Sequence, residues 1–301
     1  MTDIIKPIIV AIAKKEQNYI EEWVRWHIAI GFNHIFLYDN EDTPTYEKQL
    51  LKYRKYITVI HLPGNNFHIG VQYIALDHFR NHFMYINGYT HCIHIDIDEF
   101  IVLHKHNNIT NFIEQFIIDD CGAIGINWRF FGDSGNTNET NDPVVRRFIY
   151  RENLGNPHIK TLYKISAYNS NIWVHGINLN FPYYSKNTKG DKIDGCFNHN
   201  YDFNFIQINH YKSKTFQEFI SVYNRKRADM SLYNQYQNSD IISIRNTFNH
   251  YNINEEQDLS AYNFFETVNN FWVDNSIKIQ HENKLIDQNI KFFQLFDELI
   301  P

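Results

Sequence analysis

Apolar runs alternate with helix-period segments along the first two thirds of the chain. Ile8–Ala13 is an unbroken apolar run, the pattern of a strand buried on both faces. Glu16–Ile30 then places Tyr19, Ile20, Trp23, Trp26, His27 and Ile30 at helical spacing, and Gly31 suits its C-terminal cap. His34–Tyr38 and Ile57–His61 predict a second and a third strand. Gln72–Phe83 predicts a helix, closed by the turn at Asn87-Gly88. His91–Ile95 predicts the fourth strand, Thr110–Ile118 a helix capped by Thr110 or Asn111, and Ala123–Phe130 another strand. Strands alternating with helices imply an α/β fold, a Rossmann-like, mostly parallel sheet flanked by helices.

The pattern loosens after residue 131. Gly132–Asp142 is rich in Gly, Asn, Ser and Thr and predicts a loop over the sheet edge. His158–Ala167, Ile172–Ile177 and Phe205–Tyr211 are further strand candidates, with a polar loop over Ser185–Asn200. Thr215–Met230 predicts a helix opened by a capping box, Thr215 with Glu218. From about residue 240 the chain turns polar and aromatic. It ends in an amphipathic stretch, Lys284–Leu299, with Leu285, Ile286, Ile290, Phe293, Leu295, Phe296 and Leu299 on its apolar side. This predicts a main domain over 1–240 and a helical C-terminal extension over 241–301, packed on that domain or on a second subunit. The tail serves a monomer and a homo-oligomer equally well. There is no internal repeat.

Composition narrows the class. Of 301 residues, 43% are hydrophobic, enough for a substantial core and too many for global disorder. The 20 Tyr and 24 Phe accompany many Asn, Ile and Lys and read as compositional background. The net charge of −6, with no long basic block, argues against a nucleic-acid partner. Cys92, Cys121 and Cys196 lack metal-type spacing, and so few thiols suit a reducing cytoplasm. The apolar run near the N-terminus is too short for a signal peptide. No window approaches the roughly 18 apolar residues of a membrane span. A soluble, cytoplasmic protein is expected, peripheral to a membrane if its acceptor is a lipid.

The candidate chemistry sits in His91–Phe100, HCIHIDIDEF. Side chains alternate along a strand, so Asp96 and Asp98 project the same way from the end of the fourth strand. Two carboxylates there suit a hard divalent cation with oxygen ligands, and such a cation can neutralise a diphosphate. The plainer reading, that one of them caps the following segment, leaves a costly pair of carboxylates beside an apolar strand. Glu99 suits either support of that pair or the start of a helix. Asp39 and Asn40 end the second strand, on the edge where α/β sheets bind ligands, though the pair suits a turn equally.

Four segments together resemble a family. They are AKKEQNYIEEWVRWHIAIGFNHIFLYDNED (Ala13–Asp42), Gln72-x-x-Ala75-x-x-His78 followed by HIDIDEF, NWRFFGDSG (Asn127–Gly135), and NHYKSKTFQEFISVYNRKRAD (Asn209–Asp229). The order is similar to that of family 2-type and family 92-like glycosyltransferases, over about residues 7–230. The resemblance implies a GT-A fold and transfer from a nucleotide-sugar donor, a UDP-sugar favoured, to a glycan, lipid-linked or protein acceptor. It implies a divalent metal, Mn²⁺ or Mg²⁺, and inversion without a covalent enzyme intermediate. On this resemblance Ala11, Glu16, Asp39, Asn40, Gln72, Asp96 and Lys214 face the nucleotide or its diphosphate. Asp96 and Asp98 hold the metal, joined by a late histidine, His210 first and His175 second. Lys212, Lys214 and the trio Arg225, Lys226 and Arg227 can neutralise the leaving diphosphate, although at least one of the trio suits a solvated helix face. The general base is expected at Asp133, with Asp191 and Asp194 as alternatives. Trp128 suits stacking on an acceptor sugar or a place in the core.

Two other readings compete. A phosphohydrolase or nucleotidyltransferase also uses carboxylate clusters, but usually more of them for two metals, and no second cluster is evident. A non-catalytic carbohydrate-binding relative would have no use for the Asp-x-Asp pair.

Overall fold

The structure is a computed structural model. It describes residues 4–64, 68–223, 225, 228–230 and 240–297, with the side chains of 171, 172 and 288–297 outside that description. In chain order the elements are β1 (Pro7–Ala13), α1 (Ile20–Ala29), β2 (His34–Asp39), α2 (Tyr46–Gln49), β3 (Ile57–His61), α3 (Val71–His82), β4 (His91–His94), β5 (Glu99–Leu103), α4 (Ile109–Phe116) and β6 (Cys121–Phe130). There follow α5 (Val144–Arg147), β7 (Tyr150–Arg151), β8 (Asn156–Lys164), β9 (Tyr168–Ile172), β10 (Ile177–Leu179), β11 (Tyr184–Lys186), β12 (Lys192–Ile193) and β13 (Ile206–His210). The chain closes with α6 (Phe216–Tyr223), α7 (Ile241–Tyr251), β14 (Glu256–Gln257) and α8 (Ser260–Asp297).

The main sheet runs β12-β11-β6-β8-β4-β1-β2-β3, with β13 joined to β6 and β5 joined to β13. β3, β2, β1 and β4 are parallel. β8 is antiparallel to both β4 and β6, so β6 again runs with β4. The C-terminal ends of β1, β2, β4 and β6 therefore share one edge. Alternation along β1 is the reason the sheet is covered on both faces. Ile9 and Ala11 join the core formed with α1, α4 and α8, while Ile8 and Val10 join the core under α3. Trp23 and Trp26 of α1 are buried, and each full burial of a large apolar side chain stabilises by about 1.5–3 kcal/mol. Their indole N–H groups also donate to the carbonyls of Glu99 and Ile101, both at 2.8 Å, which fixes α1 to β5. β5 directly continues the Asp-x-Asp segment, so these two tryptophans position the site.

The α/β class and the strands of the first half match the sequence pattern. The departures have local causes. β5 is a separate strand after a bend at residues 95–98, where the sequence suggests only the end of a motif. The strand predicted over Ile172–Ile177 spans the turn of a hairpin, β9 with β10, closed by Trp173 N–H donating to Gly176 O at 2.9 Å. The polar stretch Ser185–Asn200 contributes two short strands, β11 and β12, because β6 supplies the pairing that their own composition does not advertise. The N-cap of α4 is Asn108, whose side chain accepts from Asn111 N–H at 2.9 Å, and not Thr110 or Asn111. The capping box of α6 is present: Glu218 N–H donates to Thr215 Oγ1 at 3.3 Å and Thr215 N–H to Glu218 Oε2 at 3.1 Å. α6 ends at Tyr223, short of Met230. The C-terminal helix begins at Ser260, well before Lys284. Its Ala261, Val268, Trp272 and Ile279 join the main core, and Trp272 Nε1 donates to Arg25 O at 3.0 Å. Leu285 is exposed; the side chains of Ile290, Phe293, Leu295 and Phe296, and all of Leu299, lie outside the described residues. Among the described residues no helix is long and apolar enough to cross a membrane. All three cysteines are free.

One close approach matters for the site. The segment around Ala228 and Asp229 lies on the start of α3, where Gln72 N–H donates to Ala228 O at 2.9 Å. A Cβ on Gly70 would stand 2.4 Å from the carbonyl carbon of Asp229. Gly70 has φ −63°, so alanine is conformationally free there and only the collision opposes it. Gly70→Ala should destabilise by about 1–3 kcal/mol and increase proteolytic cleavage near Ala228; unchanged melting and unchanged cleavage would contradict the contact.

Candidate active site

The chain leaves β4 at His94 and enters β5 at Glu99, and the bend between them sets Asp96 and Asp98 at the shared edge. Asp96 is held from two sides. Its Oδ1 accepts from Gln72 Nε2 at 3.2 Å, and its Oδ2 pairs with Lys160 Nζ at 3.0 Å. Its backbone N–H donates to Glu99 Oε2 at 3.0 Å. Lys160, on β8, has no exposed surface and also lies 3.4 Å from Glu99 Oε2. Burial alone would lower the lysine, but Asp96 and Glu99 raise it to about 12. Burial drives the Glu99 carboxyl well above the usual carboxylate range against the pull of Lys160. Burial likewise opposes ionisation of Asp96, but Lys160 holds its carboxyl below the ordinary value.

Asp98 faces a different partner. Its Oδ2 lies 3.6 Å from Nε2 of His210, the last residue of β13. The register of β13 against β5 places His210 opposite Glu99, and Tyr211 N–H donates to the Asp98 carbonyl at 2.8 Å. Burial would raise the Asp98 carboxyl, but His210 beside it and the cations Lys214 and Arg225 hold it far below the carboxylate range. Burial lowers His210, favouring the neutral imidazole, the form that ligates metals. Its Nδ1 is buried without a hydrogen-bond partner among the described residues.

Arg225 closes the other side of the site. It bonds to Glu16 and donates to the Lys14 carbonyl at 2.7 Å. Glu16 is buried three residues past the end of β1, and its Oε2 has no hydrogen-bond partner among the described residues. Lys214 is buried with φ 49°, its ammonium 4.4 Å above the Tyr19 ring. A non-glycine residue held in the left-handed region costs about 1–2 kcal/mol. Lys212 lies 4.2 Å above the Tyr251 ring. Lys226 and Arg227 lie outside the described residues.

The structure brings together Glu16, Gln72, Asp96, Asp98, His210, Lys214 and Arg225. The other candidates stand elsewhere or are engaged locally. Ala11 is a buried core residue in the middle of β1. Asp39 turns both carboxylate oxygens to its own loop, accepting from the N–H groups of Glu41, Thr45 and Tyr46 at 2.7–3.0 Å. Asn40 donates to the carbonyls of Leu62 and Gly64. His175 bonds through Nδ1 to Ile159 O at 2.9 Å and is lowered by burial, then by Lys160, to about 4. Asp133 accepts from Gly135 N–H, Asn252 Nδ2 and Asn254 Nδ2, clamping its loop to the segment after α7. Asp191 accepts from Asn187 and Asn200 in an exposed turn, and those two bonds lower its carboxyl. Asp194 is exposed, one residue past β12.

Trp128 is the hub of an aromatic group beside the carboxylates. Its ring centroid lies 4.5 Å from His210, 5.1 Å from His158 and 5.0 Å from His175, with Lys160 Nζ 5.8 Å away. Its Nε1 is buried with no partner among the described residues. Lys160 and His158 are the members of this site that sequence reasoning misses. The available signal is a lysine in the middle of an otherwise well-buried strand, which calls for a buried acid partner.

No curated protein matches the chain. Solved structures with partial likeness include a Bacillus anthracis protein assigned as a glucose-1-phosphate thymidylyltransferase (14% identity, TM-score 0.33, covering 55% of this chain and 73% of that one). Another is residues 1–349 of TarS from S. aureus (14% identity, TM-score 0.35, covering 54% and 48%). A third is the core-mannan synthase A of Aspergillus fumigatus in its Mn/GDP form (8% identity, TM-score 0.25, covering 44% and 45%). The chain thus spans about half the length of the last two. The sequence profile of glycosyltransferase family 92 matches residues 8–251. That stretch holds β1 through α7 and every residue of the site described above, and the chain is a glycosyltransferase belonging to family 92.

Proposed function

We propose that this glycosyltransferase moves a sugar from a nucleotide-diphosphate donor, a UDP-sugar favoured, to a hydroxyl of a glycan, lipid-linked or protein acceptor, with a divalent cation and with inversion. The observation that carries the reading is the junction of Asp98 with His210, flanked by Lys214 and Arg225. A carboxylate and a neutral imidazole form a donor set suited to Mn²⁺ or a similar ion. Among the described residues no group of three or more His, Cys, Asp or Glu side chains is placed to hold a metal alone. Asp98 and His210 are the two protein groups that would hold such an ion, with the remaining positions left to the donor. Such an ion, when bound, would supply charge neutralisation for the departing diphosphate.

The protein's own groups divide the remaining work. Lys214 and Arg225 stabilise negative charge growing on the leaving diphosphate, in a buried setting where each is worth more than in water. Gln72 and Lys160 hold Asp96 in one orientation toward the donor. The acceptor hydroxyl attacks the anomeric carbon from the side opposite the diphosphate, the C–O bond to the diphosphate breaks, and a protein base takes the hydroxyl proton.

A melting-temperature screen of nucleotide sugars with and without Mn²⁺ tests the donor site. A ligand at a hundredfold its Kd stabilises the native state by about 2.7 kcal/mol. For a chain of 301 residues we expect a rise of roughly 4 °C with UDP-sugars, larger with the metal. Folded protein that shifts with no nucleotide sugar would refute the reading. Release of UDP, and not of a sugar phosphate, separates transfer from phosphohydrolase or nucleotidyltransferase chemistry.

A further inference from the structure

The direct-displacement reading needs a base, and the aspartates of the loops are committed to hydrogen bonds or exposed. The ring of His158 offers a better-defined acceptor. Asn156 Oδ1 receives the backbone N–H of His158 at 3.0 Å and also meets His158 Nδ1 at 2.7 Å. An atom that accepts a backbone N–H is the amide oxygen, not its nitrogen. The oxygen can only accept, so Nδ1 must carry the ring proton and Nε2 is left as a bare lone pair. Among the described residues no hydrogen bond meets Nε2.

The ring's placement supports the same role. His158 is partly buried and stacks on Trp128, with an interplanar angle of 18°, while Phe197 packs against it edge-on at 4.7 Å. The same indole also meets His210, the partner of Asp98, with ring centroids 4.5 Å apart. His158 and the Asp98–His210 pair thus share Trp128 as a common neighbour. The indole of Trp128 is more than nine-tenths buried, and its Nε1 is a donor with no partner among the described residues.

We propose that Nε2 of His158 takes the proton of the attacking acceptor hydroxyl, and that Trp128 Nε1 donates to an oxygen of the same bound sugar. The hydroxyl oxygen bonds to the anomeric carbon, the nucleoside diphosphate leaves with the electron pair of its C–O bond, and the proton ends on the imidazole. Asn156 Oδ1 accepts from Nδ1 throughout and stabilises the imidazolium as it forms. Burial, and then the proximity of His210 and Lys212, lowers His158 below the usual histidine value, which keeps it neutral before the reaction.

The inference rests on displacement by an acceptor hydroxyl, so the test reads both. The full chain is given UDP-glucose, or whichever UDP-sugar gives the largest melting shift, with Mn²⁺ and with water and methanol as acceptors. The methyl glycoside keeps its anomeric configuration. An inverted product supports displacement; a retained one overturns that reading and the base with it. His158→Gln should lower kcat at least about 100-fold, with calorimetric affinity for UDP and Mn²⁺ and the melting temperature unchanged. Asn156→Ala should lower kcat about tenfold by freeing the tautomer. An inverted product with His158→Gln turnover within threefold of wild type overturns the base assignment alone. So does a loss in His158→Gln matched by an equal loss of UDP affinity.

Discussion

Asp98→Asn is expected to remove about 10³-fold of kcat/KM, close to 4 kcal/mol of transition-state stabilisation, and to make UDP binding independent of Mn²⁺. The argument is one of charge and ligation. Asparagine keeps the shape of the side chain and cannot supply an anionic oxygen beside His210. The backbone carbonyl that accepts from Tyr211 is untouched, so the bend between β4 and β5 should survive. The stability effect should be flat across neutral pH. A carboxyl held below its unfolded value contributes stability that is fully present above the unfolded pKa. That stability is lost only as the pH falls through the depressed folded value. Melting should therefore shift equally at pH 6 and pH 8. Calorimetry of UDP with and without Mn²⁺ decides the case, and a persistent metal-dependent gain in affinity would remove Asp98 from the ligand set.

Much of this site was legible in the chain because its parts are local. Asp96 and Asp98 stand two residues apart directly after an apolar strand, which marks the segment. The structure sets them in the bend between β4 and β5, where strand alternation does not apply and each faces its own partners. The Thr215–Glu218 capping box is likewise a four-residue signal, and it appears as read. What the sequence hides is pairing across distance. Lys160 meets Asp96 only because β8 runs antiparallel between β4 and β6, bringing residues 64 positions apart into contact. Asp133 is drawn away by Asn252, 119 positions later. Asp39 stands at the strand end as read, and its carboxylate closes its own turn, the plainer of the two roles its position allows. A histidine's tautomer is still further from view, since His158 depends on which atom of Asn156 faces it.

The largest effect on stability is expected from Lys160→Met. The lysine is fully enclosed, and its ammonium serves Glu99, which is fully buried, and Asp96, whose side chain is 35% exposed. Breaking a buried ion pair by removing one partner typically costs about 3–5 kcal/mol, because the remaining charge is left uncompensated. Methionine keeps much of the volume, so the loss should report charge and not packing. For a chain of 301 residues that corresponds to a fall in melting temperature of roughly 5–8 °C at pH 8. The pH dependence gives the sign. Without Lys160, burial raises Asp96 and Glu99 in the folded state above their unfolded values. Stability from such groups is present below the unfolded pKa and lost as the pH rises through the folded one. The variant should accordingly lie nearer to wild type at pH 5 than at pH 8. Adding Glu99→Gln and Asp96→Asn to Lys160→Met should recover much of the loss at pH 8, since no buried charge then remains at that point. Melting curves of the three proteins at both pH values test this. A Lys160→Met protein that melts within 2 °C of wild type at pH 8 would show that the ammonium does not carry the carboxylates, and that Asp96 is held in place by Gln72 and the backbone instead.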